Sequence, residues 1–276
     1  MAWTQSTRAQ HARSGLRYAS DLTDAEWAIV GPLLPGPCRR GRPRRTDLRS
    51  VLEALLYVLT TGCQWRALPP GFPPRSTVQR YFYAWRASGL WKALNRRLVD
   101  AARQAAGRGR DPSLGLIDSQ SVPTTESGGP RGLDPAKRIK GRKRHIVTDT
   151  EGFVLVGCVH PANVQDCHGA VSVLRELHAS RPGLRHLLAD QVYRTPKLPE
   201  AVADLGRWTI DIVERPRGVR GFQLLPRRWV VERTFAWMGR NRRLARDFEA
   251  TTQSAQAWLM LASIKLLTRR LARHAI

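Results

Sequence analysis

Negative charge is what this chain has least of. Across 276 residues, 22 aspartates and glutamates stand against 46 lysines and arginines, a formal net charge of +24. That excess costs self-repulsion, which a polyanionic partner relieves. Nucleic acid is the obvious polyanion, because neutralising its phosphates releases counterions. Cysteine is almost as scarce. Cys38, Cys63, Cys158 and Cys167 form no C-x-x-C pair, which sets aside zinc ribbons and thioredoxin motifs. Packed, reduced thiols in a cytosolic protein are the expectation. No apolar run is long enough to span a bilayer, and the opening MAWTQSTRAQHARSG lacks a signal-peptide core. The expectation is therefore a cytoplasmic, nucleoid-associated protein with no membrane partner. No internal repeat is visible.

What is present divides into three stretches. Residues 1–20 are polar and read as a flexible N-terminus. Residues 21–106 read as helices with short breaks. In LTDAEWAIVGPLLP, Thr23 and Glu26 fit a capping box and Pro35 stops the helix. PCRRGRPRRTD is a basic loop suited to touching phosphates. The next helix, Asp47–Thr61, carries apolar residues at helical spacing and ends at Gly62. Ser76 and Gln79 suggest a second capping box, and Gly89 separates two more helices. Arg75, Gln79, Arg80 and Arg86 lie beside aromatics here, as in a small all-α helix-turn-helix DNA-binding domain. A plain bundle whose aromatics are all core is the competing reading, and the charge balance favours DNA.

From GRGRDP onward the pattern changes. Residues 107–276 make a mixed α/β domain, in which 113–272 read strand, strand, strand, helix, strand, helix, strand, helix, helix. Phosphodiester cleavage is served by two divalent ions held by a few carboxylates. Asp118 ends the strand LGLID and Asp190 ends HLLAD. If those strands are neighbours and parallel, both acids reach one edge of the sheet. Asp149 looks like a turn residue, Asp211 a solvent-facing strand residue and Asp166 a helix N-terminal acid.

Glu232 sits inside RRWVVERTFAWMGRNRRL, which reads as one helix over Arg227–Leu244. Val230, Val231, Thr234, Phe235, Trp237, Met238 and Leu244 make an apolar arc. Arg228, Glu232, Arg233, Arg240 and Arg243 fall opposite. An Arg228–Glu232 pair at i,i+4 is an ordinary surface contact taken alone, worth about 0.3–0.5 kcal/mol. The acids on the strands are what lend Glu232 weight.

These blocks, together with GRPRRTDLRSVLEALLYVLTTGCQWRALPP, IDSQSV, KGRKRHIVTDTEGFVL and HPANVQD, resemble DDE-type insertion-sequence transposases of the insertion sequence five group. The resemblance runs from about Leu22 to the C-terminus. It implies a ribonuclease H-like catalytic domain with Asp118, Asp190 and Glu232 as catalytic acids and metal ligands. Two Mg²⁺ ions are implied, with Mn²⁺ able to substitute. Double-stranded DNA, both element ends and target, is the implied partner, and pairing two ends implies a homodimer or higher. A tyrosine–arginine–glutamate–lysine signature of relatives matches at Arg228 and Glu232, while Leu225 and Gly239 replace the tyrosine and lysine. Arg228, Arg233, Arg240 and Arg243 would grip phosphates around Glu232. Lys137, Lys140, Arg142, Lys143 and Arg144 would extend that track. The expected activity is metal-dependent cleavage and strand transfer at terminal inverted repeats. A sequence-specific regulator, an inactive remnant or a structure-selective nuclease of the same fold are the alternatives.

Overall fold

A computed structural model describes residues 4–5, 12–37, 43–213 and 227–274. Leu225, Cys38 and part of the basic loop before Asp47 lie outside the described residues.

Four helices come first. α1 (Asp24–Val30) starts at the Thr23–Glu26 capping box, formed in both directions, and runs into a 3₁₀ turn at Gly31–Leu33. α2 (Leu48–Thr61) is capped by the Asp47 side chain, which accepts from the Arg49 and Ser50 N–H groups. Gly62 closes α2 in the left-handed conformation, φ 70°, where a side chain would strain. α3 (Arg75–Ala87) begins after Pro74 with no side-chain cap, so Ser76 and Gln79 do not form the expected box. With Pro74 at the cap, both lie two positions too far into the helix. Gly89, again left-handed, turns the chain into α4 (Leu90–Ala105).

The mixed sheet follows. β1 (Leu114–Pro123) pairs antiparallel with β3 (Ile139–Thr148) and parallel with β5 (His186–Ala189). β4 (Val154–Pro161) and the short β2 (Gly132–Asp134) share the far edge of β3, and β6 (Thr209–Ile212) pairs parallel with β5. Leaving out β2, the order across the sheet is β4, β3, β1, β5, β6. That is the ribonuclease H-like arrangement, with an antiparallel meander continued by parallel strands.

Helices α5 (Asp166–Ser180), α6 (Lys197–Ala201), α7 (Trp229–Gly239) and α8 (Thr252–His274) complete the chain. Three expectations change. β1 runs five residues past Asp118, held by β3 alone. The helix expected after the strand HLLAD is the short α6 plus a 3₁₀ turn, Ala203–Leu205. The long Arg227–Leu244 helix is broken: α7 stops at Gly239, and a 3₁₀ turn covers Arg242–Leu244. The Asn241 side-chain amide donates to the Met238 carbonyl at 2.9 Å and takes up the end of α7.

α8 is packed on α1, α2, α3, α4 and β4, so the first helices and the sheet share it. Trp258 on α8 stacks on Phe82 of α3 with ring centroids 4.5 Å apart, and Trp65 lies 5.8 Å from the same ring. Most α3 and α4 aromatics are therefore core: Phe82, Trp85 and Trp91 are buried, while Tyr83 is exposed. No helix among the described residues is long and apolar enough to cross a membrane.

Candidate active site

β1 and β5 are adjacent and parallel, as the placement of two aspartates at one sheet edge requires. Their pairing stops at Leu116↔Leu188. Asp118 and Asp190 lie two residues beyond, where the strands part. Asp118 is thus mid-strand with respect to β3 and at the end with respect to β5. Asp190 caps the 3₁₀ turn Gln191–Tyr193, its side chain accepting from the Gln191 N–H. Glu232 stands on the first turn of α7, exposed.

Arg228 joins these acids. Its Nη1 lies 2.6 Å from Asp190 Oδ2 and its Nη2 lies 2.7 Å from Glu232 Oε1. Asp118 is set deeper, its Oδ1 accepting from the Ser119 N–H at 2.7 Å. Burial pushes the Asp118 carboxyl up to about 6, against the pull of that N–H, Arg228 and Lys137, and Asp190 adds to the rise. Lys137 is brought over the strand by a turn, its Nζ donating to the Ser119 carbonyl at 3.4 Å. Asp134, which the sequence does not single out, builds that turn by accepting from the Ala136 and Lys137 N–H groups.

The other expected basic contacts separate by burial. Arg75 and Arg80 on α3, Lys137, Lys140 and Arg240 are exposed, and Gln79 is half-buried. Arg86 is tied to the start of α8 through Ser254 Oγ at 2.5 Å. Arg233 is sandwiched between Trp229 and Trp237, 4.5 Å from each ring, and donates to the Glu151 carbonyl. Arg142, Lys143, Arg144 and Arg243 do not line a DNA track. Arg142 is fully buried against Asp247 at 3.0 Å and the Pro130, Glu249 and Ala250 carbonyls. Lys143 reaches Asp166 at 3.0 Å and Arg144 the Leu244 carbonyl at 2.6 Å. Burial draws Arg144 down to about 10. Arg243 pairs with Glu249 at 2.5 Å under Trp258. β3 lies between β1 and β4, which buries Arg142, Lys143 and Arg144, while the break after α7 turns Arg243 inward.

The remaining acids follow expectation. Asp149 is a buried turn residue accepting from the Glu151 and Phe153 N–H groups and paired with Arg103. Asp211 faces solvent beside His186, and Asp166 opens α5.

Carboxylate oxygens are hard donors of the kind Mg²⁺ takes. The Arg228 guanidinium stands between two of them as a substitute positive charge, so the donor set fits a divalent ion. Among the described residues no three acidic, histidine or cysteine side chains are close enough together to hold one. Arg228 has to move before Asp190 and Glu232 can share an ion.

Comparison with known proteins decides the family. A profile described as "Transposase DDE domain" matches residues 109–267. The chain belongs to the DDE transposases. A second profile, "Putative transposase of IS4/5 family", matches residues 22–95, the helical stretch. A relative from Burkholderia cepacia, "Putative transposase for insertion sequence element IS402", is 32% identical over 183 residues, covering 62% of this chain and 85% of that protein. Another from the same organism, "Insertion element IS402 uncharacterized 16.2 kDa protein", is 33% identical over 120 residues, 41% of this chain and 80% of its own length. Both family matches sit on the stretches that the sequence blocks pointed to.

Proposed function

We propose that this transposase binds the terminal inverted repeats of its insertion sequence, cleaves DNA at the element ends and joins the freed 3′-hydroxyl to target DNA. The observation that carries this reading is the meeting of Asp190 and Glu232 on Arg228, with Asp118 beside them where β1 and β5 part.

Asp118, Asp190 and Glu232 would hold two Mg²⁺ ions, or Mn²⁺ in their place, which supply charge stabilisation of the attacking and leaving oxygens. The chain's own residues do the rest. Arg228, once released from the two acids, would take a scissile phosphate, which its guanidinium suits bidentately. Lys137 brings a second positive charge to the Asp118 side. Arg240 and Lys140 are free to contact flanking phosphates. On α3, Arg75, Gln79 and Arg80 present the polar face that would read the repeats, while the aromatics of α3 and α4 hold the helices in place. Two ends must be joined, so a homodimer or higher assembly on DNA follows from the reaction.

The test is cleavage of a plasmid carrying the element ends, with Mg²⁺ or EDTA, comparing wild type with Asp118→Asn. Metal-dependent cuts at the ends, lost in the variant, are expected. DNA binding without cutting in any metal would instead indicate a regulator or an inactive remnant.

A further inference from the structure

Beyond Leu116↔Leu188 no ladder hydrogen bond sets the gap between Asp118 and Asp190. Side chains must do so. Arg228 pairs with Asp190 from the α7 side, but an ion at the acids would displace it. A second tie lies behind the strand. Successive β1 residues point to opposite faces. Asp118 meets Arg228's field on one, and Ser119 donates to Asp166 of α5 at 2.6 Å on the other. Cross-strand from Ser119 is His145. His145 Nε2 lies 2.6 Å from the Tyr193 hydroxyl, and its Nδ1 lies 2.9 Å from His160 Nε2 on β4. His160 Nδ1 lies 3.0 Å from the Pro161 carbonyl. Tyr193 ends the turn that Asp190 caps.

The protons in this chain have one consistent order. A carbonyl only accepts, so His160 Nδ1 carries hydrogen and its Nε2 accepts. His145 must then donate through Nδ1 and accept through Nε2. Tyr193 must give its hydroxyl proton to His145. Burial holds both imidazoles neutral, since it depresses the affinity of each for a second proton. A glycine shows how tightly the rings are seated. Gly169 on α5 has ordinary helical geometry, yet a Cβ there would stand 2.4 Å from His160 Nε2 and 2.8 Å from His145 Nδ1. The helix approaches the ring pair at the one residue with no side chain.

We propose that Tyr193 is a positioning residue, clamped by the His145–His160 relay so that the Asp190 turn keeps a fixed distance from Asp118. The proposal rests on reading those two acids as the metal-holding site. Outer partners that orient a ligand set are worth about 10–100-fold in metal affinity.

Two measurements on the full chain test it. The first needs neither metal nor DNA: the ¹⁵N shifts of the imidazole rings. Both His145 and His160 should appear as neutral Nδ1–H tautomers, the less common form for a free histidine. The Nε2–H form at His145 would overturn the relay. The second is Mn²⁺ affinity, followed by electron paramagnetic resonance, for wild type, Tyr193→Phe, Gly169→Ala and Asp118→Asn. Affinity about 10–100-fold weaker is expected in the first two variants, with the Asp118→Asn protein weaker still. Wild-type affinity in both Tyr193→Phe and Gly169→Ala, with loss in Asp118→Asn, overturns the clamp while leaving the metal site standing. Unchanged affinity in Asp118→Asn overturns the metal-site reading itself, and the clamp's purpose with it.

Discussion

Arg228 on α7 reaches Asp190 beyond β5 at 2.6 Å, and the same guanidinium holds Glu232 at 2.7 Å. One cation is therefore already shared by two of the three acids. Arg228→Ala should tighten Mn²⁺ binding to the free protein, because no internal cation then competes. Pairs this exposed contribute only ~0.2–1 kcal/mol each, so losing both gives a gain of about two- to thirtyfold. Cleavage at element ends should fall all the same, since the proposed phosphate contact goes too. Calorimetric Mn²⁺ titration gives the first quantity; weaker binding in the variant would contradict the competition.

Glu232→Gln keeps the shape of the side chain and removes its charge. Its cleavage rate should drop to background while affinity for the terminal repeats, measured by gel shift, stays at the wild-type value. Unchanged cleavage would return Glu232 to an ordinary i,i+4 partner of Arg228.

Lys140 and Arg142 are two residues apart on β3 but differ completely in exposure. Arg142→Met leaves Asp247 buried without its partner, a change that costs about 3–5 kcal/mol. Urea denaturation should show that loss. Lys140→Ala should leave stability within experimental error, weaken DNA binding and lower its salt dependence. A reversed pattern would undo the assignment of Arg142 to the framework.

Lys265 on α8 donates to Thr60 Oγ1 at 2.6 Å and Asn241 Oδ1 at 2.8 Å. Burial, with Arg269 and Arg13 nearby and Glu26 opposing them, draws its ammonium down from 10.5 to about 7. The unfolded chain holds that proton at pH values where the fold releases it, so stability should climb as pH rises above 7. The slope is at most about 1.4 kcal/mol per pH unit. Lys265→Met should flatten the difference between denaturation midpoints at pH 7 and pH 9. The same rise in the variant would place its origin elsewhere.

What the sequence made legible was local or periodic. The Thr23–Glu26 box, the Asp47 cap and the Gly62 stop need only neighbours along the chain. Asp118 and Asp190 could be paired because alternating strands and helices imply adjacent parallel strands. The fate of the arginines could not be read the same way. Arg142 meets Asp247, Glu249 and Ala250 more than a hundred positions away, and only the fold brings them together. In sequence Arg142 looks like Lys140. The imidazole pair was hidden for a related reason: His145 and His160 meet through the register of β3 on β4, and that register is not written in either strand alone.

The sharing of α8 has a consequence for how the protein is made. Phe82, Trp65 and Arg86 meet Trp258 and Ser254, which are translated long after α4 is complete. At roughly 5–20 residues per second, the first helices wait many seconds on the ribosome with an apolar face uncovered. A nascent chain released between α4 and α8 would expose that face for good. Premature termination would then give an insoluble fragment, in place of a free helical domain.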